Sequence, residues 1–142
     1  MLTLAKNYAS RMKNPSKAPG RVLIVDDEEP VRRFVERVLR DAGYETSVAG
    51  DGPEALEVAA KLEGLDVLVT DVMMPNMLGD ELARRLRQNE PDLKVLYLTG
   101  YSDRLFKEKV TLWEAEAFLD KPCSVKGLQE AVSLLLHGRT SS

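Results

Sequence analysis

The chain of 142 residues contains one cysteine and one histidine, and each scarcity excludes a class of protein. The lone Cys123 cannot form an internal disulfide, which suits a reducing compartment. The lone His137 has no partner at metal-binding spacing. No apolar stretch is long enough for a membrane helix, and Leu2–Ala5 is too short for the core of a signal peptide. We therefore expect a cytoplasmic protein with no membrane segment.

The net charge is small, but the charged residues are unevenly distributed along the chain. The net charge of −3 disfavours general affinity for nucleic acid. Residues 1–19 contain only basic charged residues and end in a stretch with two prolines, which predicts a mobile basic tail or linker. The remaining length suits one domain, which we place at residues 20–138, with a short tail over 139–142.

Apolar runs and helical patterns alternate along the predicted domain. The runs predict strands over 21–25, 44–49, 66–70, 93–98 and 115–119. The helical patterns predict a helix over 30–41, one capped by Asp51, one over 79–88, a weaker one over 102–112 and one capped by Ser124. Inward-facing side chains of these helices are predicted to include Phe34, Val35, Leu39, Ala55, Ala60, Leu82, Val125 and Leu128. This alternation indicates an α/β fold with a doubly wound, five-stranded parallel sheet, (βα)5.

Four of these runs are followed by residues that can handle a phosphoryl group, namely Asp26 with Asp27, Asp71, Thr99 and Lys121. Parallel strands bring such residues to one edge of the sheet. Neighbouring carboxylates need a counter-charge, which Lys121 supplies in part. The remaining negative charge suits Mg²⁺, and Mn²⁺ would suit the same oxygen ligands. The pattern predicts a phosphoryl-transfer site with Asp71 as nucleophile.

Each of these residues also has an ordinary structural explanation when it is considered alone. Asp27 could be a helix cap before Pro30, Thr99 a turn residue, and Lys121 a solvated surface lysine. The functional interpretation depends on all of them falling at strand ends with complementary chemistry.

The sequence resembles the receiver domains of response regulators in two-component signalling. The matching segments are Val22–Glu28, Asp71–Pro75 with Met77 and Gly79, Leu98–Gly100 and Ala117–Pro122. They occur in the family's order over about residues 20–138. The resemblance implies a flavodoxin-like strand order, 2-1-3-4-5.

The resemblance also implies how a metal and the phosphoryl group are held. Asp71 matches the phospho-acceptor, Asp27 the direct ligand of Mg²⁺, and Asp26 the neighbour that acts through water. The backbone carbonyl of Met73 matches the third protein ligand. No organic cofactor site is predicted.

Three further residues match the family's switching apparatus. Thr99 matches the switch hydroxyl, Phe118 the switch aromatic, and Lys121 the lysine that pairs with the phosphoryl group. The Lys121–Pro122 bond matches a position at which the peptide is cis.

The resemblance implies a phosphorylation-controlled switch and not a metabolic enzyme. Its phosphoryl donor would be a sensor histidine kinase or a phosphotransfer protein. Only a few residues follow the last predicted helix, so we expect no direct DNA binding and an output through an unknown partner. We expect partner binding or homodimerisation to use the face formed by residues 99–130.

Four alternatives stay open at this level. The domain could be a receiver detached from a hybrid sensor histidine kinase, or a receiver-like module that binds partners without phosphorylation. An aspartate phosphatase needs a general acid where this chain has Met73. A flavin or dinucleotide binder would have its phosphates repelled by the acidic residues 26–29.

Overall fold

The computed structural model describes residues 20–100 and 115–138. Within these ranges it contains five strands and four helices. In chain order they are β1 Arg21–Val25, α1 Glu29–Asp41, β2 Glu45–Ala49, α2 Gly52–Ala60, β3 Val67–Asp71, α3 Gly79–Leu86, β4 Lys94–Thr99, β5 Glu116–Asp120 and α4 Val125–His137. The predicted tails at 1–19 and 139–142 and the predicted helix at 102–112 lie outside the described residues.

The five strands form one parallel sheet in the order β2-β1-β3-β4-β5, which confirms the predicted fold. The central strands are covered on both faces, so β1, β3 and β4 are almost wholly buried. This burial explains their nearly continuous apolar sequence. The register places Asp71 opposite Leu98 and Thr99 opposite Asp120. The register therefore brings Asp71, Thr99 and Asp120 together at the carboxyl ends of neighbouring strands.

Alternate residues of each strand enter two apolar cores. On one face, Leu23 and Leu68 pack with side chains of α2 and α3. On the other face, Ile24 and Val69 pack with side chains of α1 and α4. Each fully buried aliphatic side chain contributes about 1.5–3 kcal/mol, so the two cores fix the sheet as a rigid support.

Two helix starts follow the sequence signals. Asp51 accepts a hydrogen bond from the backbone N–H of Glu54, and Ser124 accepts one from that of Gly127, each at 2.9 Å. Both caps were predicted, and each stabilises its helix by about 1 kcal/mol. The start of α1 has no side-chain cap, so Asp27 does not serve there as one.

Some predicted details were wrong. Phe34 and Val125 are 38% and 48% exposed, and Ala60 is also exposed, although all three were predicted to face inward. Val125 and Ala60 are the terminal residues of their helices, and Phe34 lies at the margin of the apolar stripe of α1. The last three strands each begin and end one residue later than predicted, because backbone pairing continues onto a polar residue.

No helix among the described residues is long and apolar enough to cross a membrane.

Arg87 and Glu116 form a buried ion pair that ties the end of α3 to the start of β5. Arg87 Nη1 lies 2.6 Å from Glu116 Oε2, and the two side chains are only 14% and 5% exposed. The guanidinium also donates to the carbonyl of Leu93, and the Tyr97 hydroxyl donates to the same Glu116 oxygen at 3.4 Å. Because both charges are removed from water, each depends on the other for its stability.

We predict that Arg87→Met lowers the free energy of unfolding by about 3 kcal/mol, because it leaves the Glu116 charge buried without its partner. Adding Glu116→Leu to this variant should recover most of that loss. Urea denaturation measures both effects. The matched control is Arg37→Met, which removes an ion pair with Asp41 whose side chains are 81% and 69% exposed. That control should change stability by less than about 0.5 kcal/mol, and equal effects at both sites would contradict the prediction.

Candidate phosphoryl-transfer site

The carboxyl edge of the sheet gathers the side chains that the sequence singled out. Asp26 follows β1, Asp71 ends β3, Thr99 ends β4, and Lys121 follows β5. All but Lys121 are buried, with Thr99 only 1% and Asp71 5% exposed. Buried polar groups need partners, so the contacts among these side chains determine whether the edge is stable.

The ammonium of Lys121 is the centre of the cluster. Its Nζ lies 2.9 Å from Asp26 Oδ2, 3.3 Å from Asp71 Oδ2 and 3.4 Å from Glu28 Oε1. Burial alone would lower the pKa of Lys121, but the carboxylates of Asp26 and then Asp71 outweigh this effect, so the pKa lies above its ordinary value. The lysine therefore stays charged. The Lys121–Pro122 peptide bond is cis, as expected.

Asp26 is fully buried, whereas its neighbour Asp27 is exposed. Asp26 Oδ1 accepts a hydrogen bond from the backbone N–H of Glu28 at 2.9 Å. Asp26 Oδ2 accepts no hydrogen bond from the described residues, although it lies in the ion pair with Lys121. Arg32 Nη1 donates to the backbone carbonyl of Asp26 at 2.7 Å. The end of β1 is thus held firmly, with one buried oxygen directed into the cluster.

The environment of Asp71 favours its protonated form. Burial raises the pKa of Asp71, the charge of Lys121 opposes that increase, and the charge of Asp26 together with a hydrogen bond to Asp27 adds to it. The resulting pKa is about 7. Among the described residues, the ammonium of Lys121 does not offset the combined effect of burial and of the Asp26 charge on the pKa of Asp71.

The donor set fits a hard divalent cation. Carboxylate oxygens of Asp26, Asp27, Glu28 and Asp71 all lie within 4.8 Å of one another. Mg²⁺ prefers oxygen ligands, and this cluster supplies them from four carboxylates. The residues present are therefore compatible with the metal that was expected from sequence. The role of the Met73 carbonyl stays a prediction.

Thr99 makes a contact that sequence reasoning missed. Its hydroxyl donates a hydrogen bond of 2.7 Å to Asp120 Oδ1. Asp120 is the last residue of β5, so it occupies the same kind of strand-end position as the residues that were singled out. The position of Asp120 at a strand end could therefore have identified it from the sequence. Glu28 could have been identified in the same way, because it directly follows Asp27.

Phe118 is partly buried and packs against the ring of Tyr97. The two ring centroids are 5.5 Å apart, and the ring planes are inclined by 37°. Both residues lie on adjacent strands in register. The predicted switch aromatic is therefore in contact with the core and close to the strand that carries Thr99.

Comparison with known proteins identifies the family. The sequence model described as "Response regulator receiver domain" matches residues 22–133. The chain belongs to this family. It is 40% identical over 117 residues to the sensor kinase CckA of Brucella abortus, which covers 82% of the chain and 12% of that kinase. It is 32% identical over 116 residues to the receiver protein CpdR of the same organism. That alignment covers 82% of this chain and 96% of CpdR.

Solved structures support the same assignment. The receiver domain of the hybrid histidine kinase CckA superposes with a TM-score of 0.70 at 34% identity, covering 83% of this chain and all of that one. The chain spans 12% of the CckA kinase and about half of several other curated relatives. It is a receiver domain of two-component signalling.

The loop after β3 brings the start of α3 close to the end of β3. The backbone N–H of Gly79 donates to the carbonyl of Val72 at 2.8 Å. A Cβ atom at Gly79 would collide with the backbone carbonyl of Asp71. Glycine at this position therefore allows α3 to begin beside Asp71.

The thiol of Cys123 follows the site but is not activated by it. Cys123 is half-buried, and burial raises the pKa of its thiol. This favours its interpretation as a packing residue over that of a reactive thiolate.

We predict that Asp71→Asn stabilises the receiver domain at high pH when no divalent cation is present. The pKa of Asp71 rises from 3.8 to about 7 on folding, so the folded protein binds more protons than the unfolded chain between these values. Stability should therefore fall as the pH rises from about 4 to 7. Asp71→Asn should raise the free energy of unfolding by about 1–3 kcal/mol at pH 8 and have little effect at pH 4.

Urea denaturation at the two pH values measures this difference. The control is Asp92→Asn at an exposed position before β4, which should change stability by less than about 0.5 kcal/mol at either pH. Equal stabilisation by Asp71→Asn at pH 4 and pH 8 would show that burial of the charge is not the cause.

Proposed function

We propose that this receiver domain is a phosphorylation-controlled switch in which Asp71 accepts a phosphoryl group from a phosphohistidine. The observation that carries the proposal is the position of the Lys121 ammonium, 3.3 Å from Asp71 and 2.9 Å from Asp26. A buried carboxylate beside a fixed cation provides both a nucleophile and a charge for the incoming phosphoryl oxygens.

The transfer requires the ionised form of Asp71. One carboxylate oxygen attacks phosphorus, a new O–P bond forms, and the P–N bond to the donor imidazole breaks. The bonding electrons leave with the imidazole nitrogen, and Asp71 becomes an acyl phosphate. Lys121 pairs with a phosphoryl oxygen as negative charge accumulates near the site. The domain is modified in this reaction and releases no metabolic product.

Mg²⁺ would be held by Asp27, Asp71 and the Met73 carbonyl, with Asp26 acting through water, and Mn²⁺ would suit the same ligands. Bound there, the cation supplies positive charge that offsets the carboxylates and the phosphoryl oxygens. The raised pKa of Asp71, about 7, supports a need for such a charge at neutral pH. Asp26 and Asp27 thus prepare the site, while Asp71 carries out the chemistry.

The proposed output begins at Thr99 and Phe118. A phosphoryl group on Asp71 offers the Thr99 hydroxyl a strongly charged acceptor. Movement of Thr99 then leaves space into which the Phe118 ring turns. We propose that the face formed by residues 99–130 reports this change to an output partner or to a second copy of the chain.

The proposed donor is a sensor histidine kinase or a phosphotransfer protein in the cytoplasm. Similarity to a CckA kinase also supports a second context, in which the domain works as the receiver of a hybrid kinase. Similarity to CpdR over 96% of that protein supports a stand-alone receiver. The genomic reading frame distinguishes these contexts, and the chemistry at Asp71 is the same in both.

We predict that incubation with acetyl phosphate and Mg²⁺ adds about 80 Da, the mass of one phosphoryl group on one carboxylate. Intact-protein mass spectrometry measures the adduct, and Asp71→Asn should abolish it. A chelator or Asp27→Ala should also prevent it, because both remove the metal. The control Asp92→Asn should be modified as the wild type is. A persistent adduct on Asp71→Asn would show that another side chain is the acceptor, whereas no adduct on the wild type would favour a receiver-like module without phosphorylation.

We also predict that a phosphoryl mimic changes amide hydrogen exchange mainly within residues 99–130. In the described part of that range, β5 and α4 should change, because Thr99 and Phe118 connect the site to them. Mass spectrometry of peptides from protein with and without beryllofluoride and Mg²⁺ provides the measurement. Asp71→Asn treated in the same way is the control. Changes confined to α1 and β2 would contradict this route.

A further inference from the structure

β4 places Thr99 between two strands that both end in a carboxylate. In the sheet order, β4 lies between β3, which ends at Asp71, and β5, which ends at Asp120. The register sets Thr99 directly opposite Asp120, while Asp71 is opposite Leu98. The strands on either side of Thr99 therefore end in Asp71 and Asp120 at the same edge of the sheet.

A threonine hydroxyl has only one proton to donate, so an acceptor on the Asp71 side would compete with Asp120 for it. Here the proton is given to Asp120 Oδ1 at 2.7 Å. The carbonyl of Thr99 is fixed by the backbone N–H of Lys121 at 2.8 Å, so the backbone has little freedom. Rotation about the side-chain torsion between staggered positions is what remains.

We propose that Asp120 is a competing acceptor that retains the Thr99 hydroxyl on the β5 side until a phosphoryl group is present on Asp71. This inference rests on the proposed function, and it assigns to Asp120 a positioning role that acts through Thr99. To accept a hydrogen bond from Thr99, the phosphoryl group must replace Asp120 as the acceptor. The net free energy gained is therefore smaller than it would be if the hydroxyl had no bond to Asp120. Asp120 thereby biases the domain toward the unphosphorylated arrangement.

Two properties of Asp120 shape the size of this bias. Its hydrogen bond with Thr99 is charge-assisted and therefore stronger than one between neutral groups. The residue is also exposed, so water competes for the carboxylate and weakens the bond. We expect removal of the carboxylate to raise affinity for a phosphoryl mimic by about fivefold, within the range typical of coupling between sites.

The experiment measures beryllofluoride binding in the presence of Mg²⁺ by isothermal titration calorimetry. Asp120→Ala should bind about fivefold more tightly than the wild type. Asp120→Asn keeps an oxygen acceptor without the charge and should show a smaller gain, which also serves if the alanine variant fails to fold. The control Asp92→Ala removes an equal charge from an exposed position before β4 and should leave affinity unchanged.

A second background separates competition for the hydroxyl from simple charge repulsion. Thr99→Val removes the hydroxyl but retains the shape of the side chain. In that background Asp120→Ala should give no gain in affinity, because no proton remains to be released. An equal gain with and without the hydroxyl would overturn the proposal, and so would unchanged affinity in the Asp120 variants.

The metal-free protein provides a readout that does not depend on phosphorylation. NMR scalar couplings of the Thr99 side chain should show one dominant rotamer in the wild type and a redistributed population in Asp120→Ala. An unchanged rotamer would overturn the proposal. If the wild type binds no beryllofluoride while Thr99 still responds to Asp120→Ala, the proposed function fails but the competition for the hydroxyl stands.

Discussion

The ion pairs of the partly buried Lys121 ammonium are the interactions on which the carboxyl edge of the sheet depends. The ammonium lies between the carboxylates of Asp26 and Asp71, and it also reaches Glu28 on the rim. Two carboxylates that leave water at the end of an apolar sheet would repel each other strongly without a cation. Lys121 therefore joins the ends of β1, β3 and β5, and the electrostatic balance of the site is also a structural constraint.

The charge of Lys121 does not fully offset the negative charge and the burial of the carboxylates around it. Burial, and then the charge of Asp26, raise the pKa of Asp71 to about 7 although the charge of Lys121 opposes them. The carboxylate oxygens of Asp26, Asp27, Glu28 and Asp71, all within 4.8 Å of one another, form a donor set that fits a cation. The Thr99 hydroxyl is meanwhile occupied by Asp120. The carboxylate cluster and the hydrogen bond from Thr99 to Asp120 are thus the two arrangements on which the proposed phosphorylation would act.

The packing of the sheet limits how far the strand ends can relax around the site. Close-packed apolar side chains cover both faces of the sheet, so the strand ends cannot relax freely. The absence of a Cβ atom at Gly79 lets α3 begin beside Asp71. At the opposite end, the buried pair of Arg87 and Glu116 fixes the start of β5, the strand that carries Phe118 and Asp120. The described strands are therefore anchored by packing on both faces and, at the start of β5, by this ion pair.

The sequence by itself determined the parallel sheet and the grouping of Asp26, Asp71, Thr99 and Lys121, because apolar runs and the polar residues after them are local patterns. It also indicated the caps at Asp51 and Ser124. Only the tertiary structure decided that Glu28 reaches Lys121, 93 positions away, and that Thr99 donates to Asp120. The raised pKa of Asp71 also depends on the folded environment. So does the exposure of Phe34, which lies at the margin of the apolar stripe of α1. These features depend on distances and burial across separate strands, which no local pattern encodes.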